Sequence, residues 1–174
     1  IYIDGTKLEA NANKFTFVWK KATLKYQARL MKKMSNALLD LNEFYKECNI
    51  DIVYLVKEKY DVSDFIDTFE NLQRIKRNVD TVFVKGIGHR KDEFQKKYEQ
   101  FEEMTNKAMQ YAERIEKCGN RNSYSKTDED ATFMHGKEDY YMKTGIFKAY
   151  YNIQIGVSSE YIRYLDVFQN PADT

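Results

Sequence analysis

The first acid of the chain, Asp4, follows the apolar alternation Ile1-Tyr2-Ile3 and directly precedes Gly5. A carboxylate at the end of a buried strand, before a glycine, can project from a sheet without disturbing a core. Held on a rigid element, it suits a hard divalent cation. Mg²⁺ in particular is bound through one or two carboxylates together with substrate phosphates. The plainer reading of the same residues is an Asp-Gly hairpin turn. A second acidic group, Asp128, Glu129 and Asp130, stands in KTDEDATF. There the alternatives are a metal or substrate contact, an exposed acidic loop, or a cap for a short helix at Ala131 to Phe133. His89 and His135 have no partner pattern, and GIGHR at 86–90 has neither phosphate-loop spacing nor a preceding strand. No serine, cysteine or histidine is arranged as a nucleophile.

A basic stretch is the other candidate. Lys20, Lys21, Lys25, Arg29, Lys32 and Lys33 follow one another with no acid among them. Such a run is either a solvated helix face or a set of phosphate contacts. The net charge of +1 does not by itself argue for nucleic acid. Cys48 and Cys118 lack a CxxC partner, which fits a reduced intracellular protein whose thiols act as small apolar side chains. No apolar run approaches membrane length and no signal peptide is visible, so no membrane partner is expected. The chain begins without methionine and stops at Asp173-Thr174, and both ends read as cut from something longer.

These residues need elements to position them. The 174 residues suffice for one domain with a core, and hydrophobic residues make up 43%, against disorder. A single proline argues for long uninterrupted helices. Residues 1 to about 19 read as strand, turn, strand, with Phe15, Phe17 and Trp19 alternating with Thr16 and Val18. Residues 21–118 read as helical. Leu24, Met31, Leu38 and Tyr45 fall seven apart, with Met34, Leu41 and Cys48 in the second seam position. A second helix follows the capping region Asp61-Val62-Ser63 and carries Phe65, Phe69, Leu72, Ile75 and Val79. A third carries Phe94, Phe101, Ala108 and Ile115 and stops at Cys118-Gly119. The first and third are expected to form an antiparallel hairpin, with the middle helix folded at its far end. Residues 119–174 read as a polar loop and then two strands, YYNIQIGVS and EYIRYLDVFQN, joined at Ser158-Ser159-Glu160.

Four segments, IDGTKLEANANKFTFVWKK, NRNSYSKTDEDATFMHGKED, YYNIQIGV and YLDVFQNPADT, together resemble transposases of bacterial insertion sequences, of the DDE type. The resemblance implies an α+β chain that is a fragment of a ribonuclease-H-like fold, with antiparallel strands interrupted by a long antiparallel helical hairpin. Residues 1–20 would hold its first strands, 21–118 the helical insertion, and 119–174 a loop and further strands of a catalytic domain that continues past this chain. Asp4 would be the first catalytic acid and a metal ligand, on the central strand of the sheet, within a two-Mg²⁺ site that also accepts Mn²⁺. The second and third acids would lie outside these residues, since Asp166 and Asp173 match other family positions.

DNA, both element ends and target, would be the partner, in a bacterial cytoplasmic protein associated with the nucleoid when acting. No small-molecule substrate is implied, and a homodimer is one assembly. Lys7, Lys20, Lys21, Lys25 and Arg29 would meet phosphates. Trp19 would pack in the core or stack on an unpaired base. Two departures, Glu129 where relatives carry proline and Ala149-Tyr150 where a glycine-containing turn is usual, point toward a decayed copy. The competing reading is a catalytically inactive remnant, in which the heptad stripes pair between chains and the protein is a helical interaction or weak DNA-binding module.

Overall fold

A computed structural model describes residues 2–79, 82–86, 90–136 and 147–171. Ile1, residues 87–89 of GIGHR with His89, residues 137–139 of NRNSYSKTDEDATFMHGKED, and residues 172–174 of YLDVFQNPADT with Asp173, all quoted above, lie outside these. The elements in chain order are β1 (Tyr2–Glu9), β2 (Phe17–Trp19), α1 (Lys20–Glu47), α2 (Val62–Val79), α3 (Glu93–Cys118), β3 (Ser123–Ser125), β4 (Thr132–His135), β5 (Phe147–Ser158) and β6 (Tyr161–Phe168). The chain is mixed α+β with antiparallel sheets. It divides into a sheet unit, Ile1–Thr23 with Arg114–Thr174, and a helical unit, Leu24–Glu113. Among the described residues no helix is long and apolar enough to cross a membrane.

In the sheet unit, β5 is the axis. One edge pairs with all of β1, from Tyr2↔Val157 to Glu9↔Tyr150. The other edge pairs first with β4, from His135↔Phe147 to Thr132↔Tyr150, and then with β6, from Asn152↔Phe168 to Ser158↔Tyr161. The β5–β6 reversal falls where the sequence predicts it, with Ser159 in the left-handed region at φ 57°. A register shift at Gly156/Val157 lets Tyr164 approach. A Cβ on Gly156 would stand 3.1 Å from the Tyr164 Cβ, so this position favours glycine. A second sheet pairs β2 with β3, Phe17↔Ser125 to Trp19↔Ser123.

Three expectations are corrected here. First, β1 does not end at Asp4. It runs through Asp4-Gly5 to Glu9 because β5 offers a backbone partner at every position, so Asp-Gly is no turn. Nor is its start buried, with Tyr2 83% and Ile3 71% exposed. Second, the central strand is β5, and β1 pairs with β5 alone among the described residues. Third, Ala131–Phe133 caps no helix. The Ala131 amide donates to Asp128 O and Ser125 N donates to Ala131 O, which closes a tight reversal into β4. The polar loop therefore contains two short strands. The strand predicted from Tyr150 begins earlier, at Phe147, and Ala149 within it packs with Ala10 and Ala131.

The helical unit packs three helices around one core. Leu30, Met34, Leu38, Leu41 and Tyr45 of α1 meet Phe65 and Leu72 of α2 and Phe101, Met104 and Ala108 of α3. The α1 and α3 helices run antiparallel, as Tyr26 lies 6.2 Å from Tyr111 and Lys97 sits 5.9 Å from the Phe44 ring. The buried stripe on α1 keeps Met34, Leu38, Leu41 and Tyr45 of the predicted heptad, with Met31 packed against them, and differs at its ends and in width. Leu24 is 44% exposed and Cys48 is exposed, while Leu30 and Ala37 are buried. A third helix widens the seam beyond the two positions of a coiled coil. Cys48 is thus not a core thiol, whereas Cys118 is buried.

Helix ends follow local chemistry. At the start of α2, Asp64 N donates to Asp61 Oδ1 and Asp61 N donates to Asp64 Oδ2, a reciprocal cap. The Ser63 hydroxyl first, then the Asp64 amide, hold the Asp61 carboxyl below its usual range. Asp92 accepts from Gln95 N at the start of α3, and Gly119 ends it at φ 51°. Two side-chain amides fix the connections. Asn42 exchanges two 2.8 Å hydrogen bonds with the backbone of Tyr54, and Gln95 brackets the backbone of Val84 in the same way at 3.0 and 2.8 Å.

The seam that could pair chains is consumed inside one chain. Replacing Leu38, 3% exposed, with aspartate would bury a charge without a partner. The expected result is a loss of about 4 kcal/mol or more, read by urea unfolding of the helical signal. The loss should be independent of protein concentration. A concentration-dependent loss would show that the stripe joins chains.

Candidate functional site

Asp4 is exposed on β1 opposite Ile155. Strand alternation puts it on one face with Tyr2, Thr6 and Leu8. The register adds Ile153, Ile155 and Val157 of β5, and Leu165 and Val167 of β6, to that face. A carboxylate therefore stands on an apolar sheet face whose outer strands are largely exposed. Asp166 opposes Gln154, one residue off the partner of Asp4, so it belongs to the other face. Its carboxylate accepts from the Tyr164 hydroxyl at 2.8 Å. Among the described residues no three His, Cys, Asp or Glu side chains gather as a metal site.

The basic candidates separate. Lys7 alternates to the face opposite Asp4, and its Nζ donates to His135 O at 3.1 Å, tying β1 to the end of β4. Lys20 donates from Nζ to Gly119 O at 2.5 Å, where α3 ends and its carbonyls attract a cation. Both side chains have structural work. Lys21, Lys25 and Arg29 are exposed and spaced by four along α1. Within the helical unit, Arg29 lines a cleft between α1 and α3 with Tyr26, Lys33, Lys107 and Tyr111.

The acidic loop is a clasp. Asp128 accepts from the Tyr151 hydroxyl at 2.5 Å. Glu129 forms an ion pair with Lys117 at 2.6 Å. Arg121 Nη1 donates to Glu129 O and Asp130 O, and Nη2 donates to Lys117 O. The loop is thus bound to the end of α3.

Trp19 is neither fully core nor free. It is 43% exposed, with Phe133 at 4.9 Å edge-on and Phe17 at 6.0 Å. Phe133 stacks on Phe147 at 5.0 Å, and His135 meets Phe147 edge-on. Beside this cluster opens a cleft of about 610 Å³, lined by Trp19, Phe133, Thr132, Lys117, Arg121 and Asn122 among others. Thr132 is 3% exposed, and its hydroxyl has no hydrogen-bond partner among the described residues. The sequence does not announce this cleft. Its walls come from β2, the end of α3 and the following turn, β3, β4 and residues 169–171, segments far apart in the chain whose meeting no local pattern marks.

Compared with known proteins, the chain matches no family model, no curated protein and no solved structure.

The Asp128 carboxylate first, and burial second, push the Tyr151 phenol up to about 12. The folded state thus holds this proton more tightly than an unfolded tyrosine near 10. Its contribution to stability is complete below about pH 10 and is lost as pH rises toward 12. Absorbance titration of the phenolate should show this late ionisation. Asp128→Asn should move it down toward the ordinary value, and an unchanged titration would remove Asp128 as the cause.

Proposed function

We propose that this chain is part of the catalytic domain of a DDE-type DNA transposase, contributing the first acid, Asp4, to DNA strand cleavage and strand transfer. The observation that carries the reading is the antiparallel β1–β5–β6 ladder. It presents Asp4 exposed in the middle of its first strand. The helices between β2 and β3 occupy the place of the family's insertion. This order agrees with the opening strands of a ribonuclease-H-like sheet, the finer fold assigned by the reading.

The reading requires Mg²⁺ or Mn²⁺, and the residues present do not by themselves fit a pair of ions. Asp4 is one carboxylate, and no cluster of three possible ligands exists among the described residues. Two-metal sites need more oxygen ligands than one side chain supplies. The second and third acids therefore belong to chain outside these residues. DNA contact rests on Lys21, Lys25 and Arg29, whose exposed ammonium and guanidinium groups suit phosphates. Lys7 and Lys20 support structure instead.

The alternative is an inactive remnant that binds DNA weakly or acts as an interaction module. The lone acid favours it, whereas the internally packed heptad stripe speaks against pairing through that seam.

In the completed protein, Asp4→Asn should abolish Mg²⁺-dependent strand cleavage while leaving duplex binding intact. Retained cleavage would sink the assignment of Asp4. Replacing Lys21, Lys25 and Arg29 with alanine should weaken duplex binding regardless of sequence. It should also flatten the dependence of log affinity on log salt by about one per lost contact. An unchanged slope would remove α1 from the DNA surface.

A further inference from the structure

The cleft beside Trp19 combines three features that a structural wall does not need together. One side is aromatic, with Trp19 half exposed and edge-on to Phe133. A large indole left partly in water is unfavourable unless something covers it. The second feature is the Thr132 hydroxyl, buried and without a partner among the described residues. Nearly all buried polar groups are hydrogen-bonded, so an orphan lining a cavity implies a donor or acceptor that enters from outside. The third is charge. Arg121 on the rim and Lys20 beside it donate to main-chain carbonyl oxygens, which leaves their positive charge uncancelled by those contacts.

A flat polar ring satisfies the first two features, and an attached anionic group satisfies the third. The cleft of about 610 Å³ falls within the range of small-ligand pockets, roughly 300–1,000 Å³. An uncharged sugar could cover the indole but would leave the cationic rim without a role. We propose that this cleft receives one unstacked nucleotide of DNA. Its base lies against Trp19 and hydrogen-bonds to the Thr132 hydroxyl, and its phosphate lies at the rim beside Arg121, since Lys117 is already paired with Glu129. A duplex keeps its bases stacked and paired, so only an opened or terminal nucleotide enters. Base stacking on an aromatic side chain tolerates any sequence. The pocket therefore selects for strand opening rather than for a base identity. This inference rests on the DNA reading above and assigns a substrate form that the reading leaves open.

Trp19 is the only tryptophan of the chain, so its emission reports on this cleft alone. The test titrates the protein with a short single-stranded oligodeoxynucleotide, with the same strand carrying abasic sites, and with the corresponding duplex. The single strand should quench Trp19. The abasic strand and the duplex should bind without quenching it. Thr132→Val keeps the side-chain shape and removes only the hydroxyl. It should raise the single-strand concentration for half-quenching by about fivefold, with duplex binding and thermal stability undiminished. Quenching by the abasic strand to the same degree, or an unchanged midpoint in Thr132→Val, would overturn the pocket. Duplex binding with Trp19 silent toward single strands removes the pocket and leaves the DNA reading standing. Failure of every DNA to bind overturns both.

Discussion

The pairing of β2 with β3 is the contact on which the chain's organisation depends. Trp19 lies opposite Ser123, and the next residue along each strand leads into α1 or back to the end of α3. Lys20 N donates to Asn122 O and its Nζ donates to Gly119 O, so departure and return are bonded to each other. With those ends fixed, a long excursion costs the sheet little, because closure entropy grows only with the logarithm of length. The Arg121 hydrogen bonds extend this junction to the acidic loop. A short polar ladder thus organises more of the molecule than its three residue pairs suggest.

The helical unit solves a different problem. Its connections run as extended backbone, which must have its hydrogen-bonding groups satisfied. Asn42 and Gln95 each offer an amide that imitates a strand partner, one N–H and one C=O at a time. The connections are therefore ordered without belonging to a sheet. Val53 and Leu55 point outward from the first of them, exposed, while Tyr54 between them packs against the helical core.

In the sheet unit, the proposed acid and the exposed apolar face coincide. Asp4 sits among apolar side chains of β1, β5 and β6 on a face whose outer strands are largely exposed. The Trp19 cleft has the complementary character, with a buried hydroxyl under an aromatic wall and cations at the rim. On the proposed reading, Asp4 would meet a cation and the Trp19 cleft a nucleotide.

The three helices, their caps at Asp61 and Gly119, the β5–β6 hairpin and the mixed α+β class were legible in the sequence. Each rests on interactions among near neighbours: periodic apolar residues, a cap three residues away, a two-residue turn. The middle of the α1 stripe, Met34, Leu38, Leu41 and Tyr45, was legible; its two ends, Leu24 and Cys48, were not, because the packing partners decide how far along a stripe burial extends. The span of β1 was hidden for the same reason. Asp4-Gly5 reads locally as a turn, and only the distant β5 backbone makes it strand. The acids of the 128–130 loop looked like ligands until Lys117, Arg121 and Tyr151 arrived from elsewhere in the chain. Local sequence chose the elements because their energies are local. Tertiary contacts chose exposure, partners and the Trp19 cleft, because those depend on residues far apart in the chain meeting in space.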